Sequence, residues 1–219
     1  MNQPSKFTLY NEKPVGNISS ICVIFKIENN ANHTGLIIKN EFNQSRLLHF
    51  TGSLLLEPVD ERCGWVELDF SEVDSEIIFE KLLLLYSTNR SSRIPYGFTD
   101  HLDVFDPNSK LYNGIDRGLS GISCSTFALA ALRYCQVNLI DTSTWGTADN
   151  ETVQWRRGLM NGSTLNQERR SALESELFTR RYKPIEVIAA ADLFVDNPIK
   201  YNQLDNRMKI IAEKYAENK

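Results

Sequence analysis

Residues 121–130, Gly-Ile-Ser-Cys-Ser-Thr-Phe-Ala-Leu-Ala, carry a glycine-bearing loop into an apolar helix and set a cysteine at the junction. Such a helix has to be packed against other apolar structure. Ser123 is suited to be its N-cap, which puts Cys124 in the first turn. There the unpaired N–H groups and the helix dipole favour thiolate over thiol, and thiolate is the nucleophilic form. The plainer assignment of Cys124 is a small core residue, since free cysteines are among the most buried side chains.

The histidines decide between the two. Only three occur among 219 residues. His33 opens residues 33–39, His-Thr-Gly-Leu-Ile-Ile-Lys, and His49 sits within residues 46–51, Arg-Leu-Leu-His-Phe-Thr. Both segments are short, apolar and β-prone, and the polar residues 40–45 between them have the composition of a hairpin connection. Residues 21–27 supply a further strand, with a turn over residues 28–32. This order predicts an antiparallel meander. His33 and His49 then stand on adjacent strands, where side chains on one face come within about 5 Å when directly opposite. A cysteine-headed helix packed on that sheet completes the parts of a Cys-His-polar triad: nucleophile, base, and a third group that orients the base. A lone strand histidine is more often held by a backbone carbonyl. For His33 the coincidence with Gly35 and Cys124 reverses that reading, and His49 fits either role. Gly35, lacking a side chain, would let the helix or a substrate approach the strand closely.

A strand beginning His-x-Gly, a second strand with a polar residue near its middle, and a later Ser-Cys-Ser-x-Phe helix resemble the NlpC/P60 cysteine hydrolases in their circularly permuted form. That group includes the lecithin:retinol acyltransferase-like proteins. The resemblance covers residues 20–140. It implies an α+β, papain-like fold in permuted order, with a central antiparallel sheet packed against the nucleophile helix. It also implies Cys124 as nucleophile, His33 as general base and His49 as the orienting residue. The activity implied is hydrolysis of an amide bond through an acyl-enzyme thioester, with peptidoglycan stem peptides as the leading substrate. Protein deamidation, lipid acyl transfer or thioester hydrolysis, and a catalytically silent binding module are the alternatives on the same fold. No cofactor is expected. The Cys124 N–H and a second donor would form the oxyanion hole.

The remaining sequence bounds this reading. His101 lies near Asp100, Asp103 and Asp106, but no Cys or His pair at ligand spacing accompanies it, so no metal site is expected there. His101 is the rival to His49 for the third triad position. None of the four cysteines forms a CxxC pair, and Cys135, on the same helix as Cys124, cannot reach it; Cys22 and Cys63 read as structural. Residues 90–121 lack periodicity and hold scattered aromatics; as the natural wall of a substrate cleft they contribute Tyr96 and Phe98, which with Ser123 are the candidate substrate-binding residues. Ahead of them, residues 65–70 alternate as a strand. Ser71 with Asp74 starts a helix whose apolar face runs through Ile77, Ile78, Leu82, Leu83, Leu85 and Tyr86.

Residues 1–142 are expected to form the catalytic core. Residues 143–219 are expected to form a helical C-terminal extension packed on it, with one helix over residues 165–181, another started by Pro184 and the last opened by Pro198. Three arginine pairs there, at 156–157, 169–170 and 180–181, read as a solvated helical face. A net charge of -4 gives no cause to expect nucleic acid as a partner, and nothing approaches a membrane-inserting run. The N-terminus has no apolar signal region, so the chain is expected to be made in the cytoplasm. Work outside the producing cell would need a dedicated secretion system, as for a toxin-like effector, with a secretion-machinery or immunity partner.

Overall fold

A computed structural model describes residues 4–217, apart from residues 14, 16, 17, 29, 30, 41 and 163. Among these, the aliphatic and β-branched segments form six strands: β1 (Thr8–Leu9), β2 (Cys22–Glu28), β3 (Ala31–Lys39), β4 (Ser45–Phe50), β5 (Leu54–Glu57) and β6 (Gly64–Glu67). They pair in the order β1-β6-β2-β3-β4-β5, and every pairing is antiparallel. The meander from β2 to β4 is the predicted one. The turn expected over residues 28–32 centres on 29 and 30, which lie outside the described residues. Ser163, in the polar turn that precedes the predicted 165–181 helix, does too.

Six α-helices accompany the sheet among the described residues: α1 (Glu72–Asn89), α2 (Cys124–Tyr134), α3 (Asn150–Asn161), α4 (Gln167–Ser175), α5 (Pro184–Leu193) and α6 (Asp205–Glu217). The fold class is α+β. α1 begins where its cap dictates, with the Asp74 N–H donating to Ser71 Oγ at 3.1 Å. Its buried stripe is Ile78, Phe79, Leu82 and Leu85. Ile77, placed on the packed face by sequence, is 46% exposed beside Val73 and Leu84, so the stripe is rotated toward Phe79.

Two expectations for the C-terminal third are corrected. Residues 165–181 are not one helix, because α4 stops at Ser175. Beyond it the carbonyls of Glu176, Leu177, Thr179 and Arg180 accept from the Arg156 guanidinium, and those oxygens are thereby drawn away from helical pairing. Pro184 does open α5. Pro198 does not open α6; it precedes Ile199, an extended residue bridged to Ile140.

One apolar core runs from Phe7 through the strands, α1 and α2 to Val187, Ile188, Ile211 and Tyr215 of α5 and α6. A smaller cluster of Phe98, Val153, Met160, Leu173 and Leu177 joins the 90–121 connection to α3 and α4. Among the described residues no helix is long and apolar enough to cross a membrane.

Candidate active site

The site is built from the first turn of α2. Ser123 has extended backbone angles, φ -93° and ψ 173°, and its Oγ accepts the Thr126 N–H at 3.2 Å, the predicted N-cap. That hydroxyl also lies 3.0 Å from Thr126 Oγ1, so it is committed to the cap although Ser123 lines a groove. Cys124 follows as the first helical residue and is only 6% exposed. Its burial pushes the thiol pKa up. The Thr34 N–H, Ser125 and Arg181 pull the other way without cancelling that rise. The expectation of a thiolate set by the helix terminus is therefore corrected: desolvation outweighs the hydrogen bonds and the Arg181 charge that favour ionisation, and the group leans toward thiol. Burial also raises Cys22 well above its ordinary range, and Cys63 and Cys135 to about 12. All four cysteines are unbridged.

The histidines border the same groove as this sulfur, past the end of a strand pairing. Pairing of β3 with β4 stops at Gly35 opposite His49, while β3 runs on to Ala31 with β2 as its partner. The edge of β3 ahead of Gly35 is thus left uncovered by β4, and there the Thr34 N–H is turned to Cys124. Strand alternation sends His33, Gly35 and His49 to one face and Thr34, Leu36 and Phe50 to the other. α2 rests on the second face, with Phe127 6.3 Å from Phe50. The imidazoles lie on the face opposite α2, and they come to a common groove with the thiol only past the end of the β3–β4 ladder. His33, His49 and Cys124 line a single groove of about 660 Å³.

Gly35 explains how the two imidazoles meet. They are diagonal in the register, not opposite. A Cβ on Gly35 would lie 2.7 Å from His49 Cβ and 2.9 Å from the Leu48 carbonyl oxygen. What comes close to this glycine is β4, which corrects the expectation of a helix or substrate there. His49 leans across it, so that His33 Nε2 and His49 Nδ1 are 2.8 Å apart with the rings nearly perpendicular, at 80°. Gly35→Ala is expected to cost about 1–3 kcal/mol, read as a lower urea midpoint, because neither a Cβ nor a strand carbonyl can swing aside. An unchanged midpoint would contradict this packing.

A fourth side chain extends the line. His49 Nε2 lies 3.2 Å from Glu57 Oε2. An ionised carboxylate only accepts, so His49 carries its proton on Nε2 and offers Nδ1 as an acceptor. His33 then donates from Nε2, and its Nδ1 is the basic nitrogen. Nothing in the sequence marked Glu57, because Leu-Leu-Leu-Glu has no alternation to reveal β5. His101 is exposed and lines neither of the grooves at Cys124, so His49, not His101, partners His33.

A second groove, of about 340 Å³, meets the first at Ala31, Asn32, Tyr96 and Cys124. Tyr96 keeps 38% of its surface open and stacks parallel to Phe50, with centroids 6.1 Å apart. Its hydroxyl is desolvated all the same, and this together with Cys124 drives its pKa up, so it remains a neutral donor. Phe98 is buried against Trp155 and the Arg156 guanidinium and forms the groove's floor more than a contact surface. The arginine pairs are not the solvated face expected of them. Arg156 is 1% exposed and donates to five backbone carbonyls, including Phe98 O at 3.2 Å and Leu177 O at 2.8 Å. Arg181 is half-buried in the groove.

Among the described residues no three His, Cys, Asp or Glu side chains gather as a metal site. No protein-family model, curated protein or solved structure matches the chain.

Proposed function

We propose that this chain is a thiol-dependent hydrolase that cleaves an amide bond through an acyl-enzyme thioester, on a permuted papain-like scaffold. The observation that carries the reading is the line Cys124, His33, His49, Glu57. A buried helix-terminal thiol shares a groove with an imidazole whose far nitrogen is held at 2.8 Å by a second imidazole, itself held by a carboxylate.

In the acylation step Cys124 gives its proton to His33 Nδ1 as the sulfur attacks the carbonyl carbon. The C–N bond then breaks, and His33 returns the proton to the leaving amine. Water, deprotonated by the same imidazole, hydrolyses the thioester. The Cys124 N–H and the neutral Tyr96 hydroxyl, from two residues that border both grooves, are the donors assigned to the developing oxyanion. Because the thiol is neutral at rest, His33 works as a general base and not as the standing partner of a thiolate.

Both grooves mix apolar surface with many polar and charged side chains, Lys26, Asp60, Arg62, Glu151, Arg180 and Lys183 among them. This supports a peptide-like substrate over an acyl chain, and peptidoglycan stem peptides are the class tied to the family resemblance. Purified peptidoglycan digested with the chain is expected to release new free amino groups, and Cys124→Ala is expected to release none. Release of fatty acid from an acyl ester in place of amines would move the protein to the lipid branch. Equal amine release by Cys124→Ala would remove the thiol mechanism altogether.

A further inference from the structure

We propose that Arg181 makes the second groove a carboxylate subsite, which holds an anionic group of the substrate close to the bond being cleaved. The inference rests on Cys124 being the nucleophile. Four cationic side chains line this groove, and three are spent. Arg156 spends both terminal nitrogens on five backbone carbonyls, and its Nε is buried with no hydrogen-bond partner among the described residues. Arg180 donates from Nε to the Trp145 carbonyl at 2.9 Å and faces Asp100 at 3.9 Å. Lys183 is paired with Asp149 at 3.0 Å.

Arg181 is different. Its guanidinium lies 3.8 Å over the Trp155 ring, and among the described residues it makes no hydrogen bond and no ion pair. The two carboxylates that act on it from nearby are engaged elsewhere: Glu186 accepts the Lys183 N–H at 2.7 Å, and Asp149 accepts the Thr152 N–H at 2.7 Å as well as Lys183 Nζ. Stacking occupies the flat face of a guanidinium and leaves its in-plane N–H donors for a ligand. Arg181 lines the same groove as Tyr96 and Cys124, so the subsite shares the space that holds the sulfur. A single planar fork with no second uncommitted cation suits a carboxylate, which it binds through two parallel hydrogen bonds; a phosphate dianion would call on further charges that this groove has already neutralised. The substrate class is thereby narrowed to amides that carry a carboxylate near the scissile carbonyl, and neutral esters are disfavoured.

Two reagents that differ only in that charge test the subsite, N-bromoacetylglycine and N-bromoacetylglycinamide. Each alkylates the thiol in the same way: the sulfur forms a bond to the methylene carbon, the C–Br bond breaks, bromide leaves, and the thiol proton passes to His33. The readout is the ratio of the two rates at Cys124, which cancels any general change in thiol reactivity. In the unaltered chain the carboxylate reagent is expected to react about three- to tenfold faster than the amide, and salt is expected to erode that advantage. Arg181→Gln is expected to bring the ratio to about one, and Arg181→Lys to retain part of it. Should the glutamine variant fail to fold, Arg181→Met, which keeps a stem over Trp155, gives the same reading. An unchanged ratio in a folded, uncharged variant overturns the subsite. Failure of both reagents to label Cys124 in the unaltered chain would instead overturn the nucleophile on which it depends.

Discussion

Arg156→Met is expected to lower the unfolding free energy by about 3–5 kcal/mol, the largest loss foreseen for any single side chain here. Burial first, and then the neighbouring Arg181, draw the Arg156 guanidinium down to about 10, while Glu176 and Asp100 oppose the shift, so the group is still charged at neutral pH. Methionine fills much of the same space but removes the guanidinium donor from five carbonyls; Phe98 O and Glu176 O keep Thr179 as a donor, and the others lose the guanidinium. Those carbonyls belong to Phe98 and to the stretch from Glu176 to Arg180, so the loss falls on the joint between the 90–121 connection and the segment that presents Arg181. Urea unfolding measures it. Arg157→Met, at an exposed neighbouring position of the same helix, is expected to stay within about 0.5 kcal/mol. Equal midpoints for the two variants would contradict the structural role given to Arg156.

The second large effect is on chemistry. His33→Ala is expected to cut amide hydrolysis by about 10²- to 10⁴-fold at neutral pH. The reason is the raised pKa of Cys124. A thiol held above its ordinary range is overwhelmingly protonated at pH 7, so little nucleophile exists without a base to take the proton. The sign of the pH dependence follows. In the variant, residual activity climbs as pH rises toward the thiol's own pKa, whereas the unaltered chain works at neutral pH. A variant whose profile overlaid that of the unaltered chain would exclude His33 as the base.

What the sequence disclosed was local. The Ser123 cap, the cysteine at its helix start, the Ser71 cap and the β2–β4 strands each depend on neighbours a few positions away. The geometry that decides the chemistry is set by pairs remote in the chain. The diagonal contact of His33 with His49 depends on which residue faces Gly35, and that register follows from the hairpin, not from an apolar pattern. Glu57 needed β5 to be paired before it had any role. Arg156 and Arg157 are adjacent and chemically identical, and only the arrival of residues 176–180 makes one a buried fastener and leaves the other in solvent. The thiol's resting state follows the same pattern: a helix terminus is legible in sequence, but the depth at which it is buried is not.

The most direct test is alkylation of Cys124 by iodoacetamide, mapped by mass spectrometry in the unaltered chain and in His33→Ala. At pH 7 Cys124 is expected to be labelled before Cys22, Cys63 and Cys135, and the His33 variant to slow that labelling at least about tenfold, with the deficit closing as pH rises. The same rate at Cys124 in both proteins across the pH range would mean that imidazole and sulfur do not act together.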